Sequence, residues 1–114
     1  MNKVIFWHTY LVGDYKLVVQ EQITKLFTSG LYDEVDYIFT GISAKSITDI
    51  NWFVDLLKPY KKFFTIIHSD SDSEKPTMKL LSNYAKENDC YIMYFHTKAV
   101  SNTGRSEEHT SELQ

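Results

Sequence analysis

Four short runs of apolar, β-branched and aromatic residues, separated by longer segments of helical period, set the tightest limit on how this chain folds. The runs are residues 4–10 (VIFWHTY), 37–39 (YIF), 63–67 (FFTII) and 91–95 (YIMYF). Near-continuous apolarity, without strict alternation, is what parallel strands covered on both faces require. Between the first two runs, residues 15–29 place Val19, Ile23, Leu26 and Phe27 at helical spacing. Asp14 stands where an N-cap belongs, and Gly30 where a helix closes. Residues 48–58 set Ile50, Phe53, Val54 and Leu57 on one face and stop at Pro59. The third helical segment opens at Pro76, a proline suited to a first turn. It puts Met78, Leu81 and Ala85 on one stripe, with Leu80 and Tyr84 alongside. Strand and helix thus alternate from end to end. That order predicts an α/β fold with a parallel sheet and right-handed crossovers.

In a doubly wound sheet of four such strands, the expected order is 3-2-1-4. The switch point then falls between the first and fourth strands, and ligands bind beyond the carboxyl ends there. This selects Thr9, Tyr10, His96, Thr97 and Lys98 as one crevice. Length and composition agree with a single globular domain: 114 residues, 43% hydrophobic and 24% charged. A net charge of −3, with Lys61 and Lys62 as the densest basic point, gives no reason to expect nucleic acid as partner. The single cysteine, Cys90, has no companion for a disulfide or a thiolate metal site, which suits a reducing compartment. No leader pattern opens the chain, and no apolar run nears the ~20 residues of a membrane span. A cytoplasmic protein without a transmembrane segment is expected.

Two stretches carry a family resemblance. The first is WHTYLVG at 7–13, with VQEQI at 19–23 and SGLYD at 29–33; the second is YFHTKAVS at 94–101. Together they resemble a family of bacterial and viral glycosyltransferase-like proteins whose fourth strand ends in a His-Thr-Lys-Gly motif. The likeness spans roughly residues 3–101 and departs from the motif at Ala99. It implies a GT-A-type nucleotide-diphospho-sugar transferase: a partial, Rossmann-like sheet forming about the first half of the domain. A nucleotide-sugar donor and a glycan acceptor are the implied partners, as in polysaccharide assembly.

The candidate chemistry divides between two strand ends. Enzymes of that type commonly hold a divalent cation, Mn or Mg, on an Asp-x-Asp pair, since hard cations take oxygen ligands. Asp70 and Asp72 have that spacing, but they follow the third run, inside the polar stretch HSDSDSEK at 68–75. A solvated loop is the first reading there and a metal contact the second. The fourth run ends instead in His96, Thr97 and Lys98. Protonated Lys98 cannot ligate a metal but can neutralise a diphosphate, with Thr97 adding a hydrogen bond. His96 reads either as a phosphate-orienting group or as an ordinary strand end. His68 and Ser69, with Asp70, are secondary candidates for contact with a base or ribose. His8 reads as a core histidine with satisfied hydrogen bonds, and Tyr10 as packing before base stacking. No glycine-rich dinucleotide motif, P-loop or nucleophile elbow is present, and no catalytic residue can be named. The alternative functions are a non-catalytic module of response-regulator or flavodoxin type, weakened by the lack of an acidic pair after the first run, and a binding-only family member.

The last ten residues, RSEEHTSELQ at 105–114, resemble the one-frame translation of a common sequencing-library adapter. They hold one aliphatic residue and no period that joins a core. The expected native part is therefore residues 1–104, the front of a longer domain, inactive alone as an enzyme.

Overall fold

In the computed structural model the described residues are 2–69 and 74–97, with only the backbone described at 67–69. Lys98, Asp70, Asp72 and the adapter-like tail lie outside them. Strand β1 (Asn2–Tyr10) leads into helix α1 (Tyr15–Thr28) and a single turn, α2 (Leu31–Glu34). Then come β2 (Tyr37–Ser43), α3 (Ile47–Leu57), β3 (Phe63–Ser69), α4 (Lys75–Glu87) and β4 (Cys90–His96). The sheet is parallel throughout, in the order β3-β2-β1-β4. The architecture is therefore α/β and Rossmann-like, with the switch point between β1 and β4.

Central β1 is buried from Val4 to Tyr10, because helices cover it on both sides. On one side, Trp7 packs its indole against Phe53 of α3, Phe63 of β3 and Phe95 of β4. Its ring nitrogen donates to Gln22 Oε1 of α1 at 2.7 Å, so a buried polar handle finds its partner. On the other side, among the described residues, lies α4. Phe6 and Phe39 meet Tyr84 there, around a cavity of about 160 Å³ that Ile66 and Leu80 also line. No helix among the described residues is long and apolar enough to cross a membrane.

Several local expectations are corrected. Strands β2 and β3 run beyond the apolar runs, to Ser43 and Ser69, because ladder hydrogen bonds continue where side chains turn polar. The Asp14 side chain caps nothing; its backbone carbonyl accepts from Leu17 and Val18. The capping side chain is that of Ser46, which accepts from the Thr48 N–H at 3.1 Å. Gly30 does close α1, at φ +85°, a left-handed angle that costs glycine little. The stripe of α4 is shifted. Met78 and Ala85 face outward, while Thr77 is fully buried and Leu80 and Tyr84 line the sheet side. A polar residue docks that helix, which a count of apolar letters misses.

Candidate functional site

The carboxyl ends of β1, β2 and β4 meet the first turn of α4, and a polar cluster fills the junction. Parallel register aligns His8 with Gly41 on one side and His96 on the other, so all three share the face that α4 covers. His8 is 1% exposed. Its Nδ1 lies 2.6 Å from Thr77 Oγ1 and its Nε2 2.8 Å from Ser43 Oγ. A neutral imidazole has one donor and one acceptor, and hydroxyls serve either role, so both ring nitrogens are satisfied. Burial lowers the His8 pKa from 6.5 to about 4, against the raising influence of Glu74. At neutral pH the ring is uncharged.

Gly41 makes this contact possible. A Cβ built there would stand 1.9 Å from Thr77 Oγ1 and 3.0 Å from His8 Nδ1. The missing side chain is the space into which the threonine hydroxyl enters. Beside it, the Tyr94 hydroxyl donates to the carboxylate of Glu74, the N-cap residue of α4. Burial, and then that carboxylate, push the tyrosine's pKa well above its usual value. The Tyr10 ring stands edge-on to His8 at 4.7 Å, and the His96 ring lies 5.7 Å from Tyr94.

The residues selected from sequence are distributed unevenly over this geometry. Tyr10 and Thr97 are joined: the Tyr10 N–H donates to Thr97 Oγ1 at 2.7 Å, and the Thr97 N–H to the His8 carbonyl at 3.1 Å. Both side chains are buried, so they tie β1 to β4. Thr9 points to the opposite face and donates to the Gly41 carbonyl at 3.0 Å. His96 is half-buried, and its carbonyl accepts from the Gln22 side-chain amide at 3.1 Å. Ser69 pairs in register with Ser43 at the carboxyl end of β3. Lys98, Asp70 and Asp72 fall outside the described residues, and so do the side chains of His68 and Ser69.

Sequence reasoning missed Ser43, Gly41, Thr77, Glu74 and Tyr94. Only Gly41 left a signal, as a glycine amid strand-forming residues, which marks close approach of a neighbour. The others are ordinary polar letters until the sheet brings them together. Chemically, the junction offers a neutral imidazole with both nitrogens engaged, a carboxylate shared with a phenol, and His96 nearer the surface. Among the described residues no group of three His, Cys, Asp or Glu side chains is placed to hold a metal ion. No family model, curated protein or solved structure matches the chain.

Proposed function

We propose that this chain is the donor-binding front part of a cytoplasmic glycosyltransferase, taking a nucleotide-sugar whose sugar passes to a glycan acceptor. The observation that carries the reading is the all-parallel order β3-β2-β1-β4. It makes the β1–β4 junction a switch point, and open α/β sheets bind ligands outside the strand ends at such a point. Fold alone licenses no activity; the transferase part rests on the resemblance of residues 7–33 and 94–101. In this reading Tyr10, His96 and Thr97 form the floor of the donor site. Lys98, next in sequence, meets the diphosphate. A divalent cation, where one is used, falls to Asp70 and Asp72.

Calorimetric titration with UDP-glucose and with UDP, with and without Mn, tests this in wild type and in Lys98→Ala. Loss of a hydrogen bond to a charged group, roughly 1.5–3 kcal/mol, is expected to weaken binding about 10- to 150-fold in Lys98→Ala. Equal affinity in both proteins removes Lys98 from the site. Binding that requires Mn and is lost in Asp70→Asn transfers the diphosphate to the aspartates.

A further inference from the structure

Helix α1 carries one polar residue on the stripe it lays against the sheet. Val19, Ile23 and Leu26 of that stripe are buried. Gln22 stands three residues after Val19 and four before Leu26, the spacing that keeps side chains on one helical face. A glutamine in that place needs hydrogen-bond partners for its amide, and the sheet supplies two. Trp7 Nε1 donates to its Oε1 at 2.7 Å, and its Nε2 donates to the His96 carbonyl at 3.1 Å. The indole N–H can only donate, so the amide oxygen faces Trp7 and the amide NH2 faces His96. Trp7 is itself fixed, fully buried and packed against Phe53, Phe63 and Phe95.

The second partner lies at the candidate site. His96 and Thr97 share one peptide group, and both of its polar ends are held. Its carbonyl accepts from Gln22 of α1, while its N–H, that of Thr97, donates to the His8 carbonyl of β1 at 3.1 Å. The Tyr10 N–H adds a bond to Thr97 Oγ1 at 2.7 Å. A peptide group is planar and rigid, so bonds at its two ends, one from a helix and one from a strand, fix its tilt. Without Gln22 the bonds from β1 hold one end only, and the plane is free to turn about them.

We propose that Gln22 is a positioning residue of the switch-point site: through this peptide group it sets the angle at which β4 presents His96 and Thr97 to the donor. The inference rests on the function proposed above and adds to it a residue that touches no ligand. Binding groups hold their geometry to within about 0.5 Å only when the side chains that support them are themselves locked. Gln22 meets that requirement, because its anchor Trp7 belongs to the core. The two hydrogen bonds of one amide thus join the core of the sheet to the carboxyl end of β4.

Gln22→Glu separates the two bonds. Its carboxylate still accepts from Trp7 Nε1 but turns a charged oxygen, not a donor, toward the His96 carbonyl. Partial burial holds that carboxyl's pKa above the ordinary ~4.3, and once protonated it donates to the carbonyl again. In calorimetric titration with UDP-glucose, Gln22→Glu is expected to bind roughly tenfold more weakly than wild type at pH 7, the worth of one hydrogen bond. At pH 5 it is expected to recover most of that loss relative to wild type at the same pH. Gln22→Met, similar in length and uncharged, is expected to stay about tenfold weaker at both pH values, and it decides the matter should Gln22→Glu fail to fold. In ligand-free Gln22→Glu, the Thr97 amide and Trp7 Nε1–H resonances are expected to titrate together. Wild-type affinity in both variants at both pH values, or a Thr97 amide that does not follow that titration, overturns the role of Gln22 and leaves donor binding standing. A wild type that does not bind UDP-glucose overturns the proposed function itself, and this role with it.

Discussion

His8, Gly41 and Thr77 act as one unit although they stand far apart in sequence. The hydroxyl of Thr77 occupies the place a Gly41 side chain would take, and it satisfies a buried imidazole there. Gly41→Ala is expected to cost roughly 2–4 kcal/mol, combining overpacking with a disrupted buried hydrogen bond. Denaturant unfolding measures it. Gly41→Ala combined with Thr77→Ala should cost less than the two single costs added, because the second change vacates the contested space. The His8 pKa gives a pH signature. The folded state keeps the ring neutral down to about pH 4, while the unfolded chain protonates it from about 6.5. The unfolded state thus binds more protons between those values, and stability falls as pH drops through that window. The loss approaches about 3 kcal/mol from this residue. His8→Gln, which hydrogen-bonds without titrating, should remove that slope when unfolding midpoints are compared at pH 7 and pH 5. The sequence already marks His8 as a satisfied core histidine. Its partners Ser43 and Thr77, 35 and 69 residues away, become visible only once strand order is known.

Elements were legible in proportion to how completely the sheet buries them. β1, covered on both faces, shows as an unbroken apolar run, and its neighbours β2 and β3 show their buried cores though not their polar ends. Helix α4 was legible as a helix but not in its orientation. Thr77 and the vacancy at Gly41 fix its first turn, and neither carries an apolar signal. The short turn α2 was not anticipated, since its four residues hold no buried side chain. The Thr77 hydroxyl at the first turn of α4 makes a specific expectation. Thr77→Val keeps the shape and deletes the bond, leaving a buried ring nitrogen unmatched at roughly 1–3 kcal/mol. Amide exchange should then quicken across residues 75–87 before it does in β1.

At the scale of the whole sheet, a central strand buried from Val4 to Tyr10 stands beside a β4 of which only Phe95 is buried. That gradient explains why the fold could be read from sequence while the chemistry could not. Burial leaves periodic traces, whereas a binding crevice at strand ends is built from single residues that no period marks. The adapter-like tail has no apolar stripe to contribute, so chains ending at Asn102 and at Gln114 should unfold within ~0.5 kcal/mol of each other. The proposed function puts a nucleotide-sugar at the β1–β4 switch point. Amide chemical-shift mapping during titration with UDP-glucose tests it most directly. Saturable shifts concentrated at Tyr10, Leu11, His96 and Thr97, at the carboxyl ends of β1 and β4, are expected. Shifts confined to the amino-terminal ends of the strands, or no saturable shift at any amide, would contradict it.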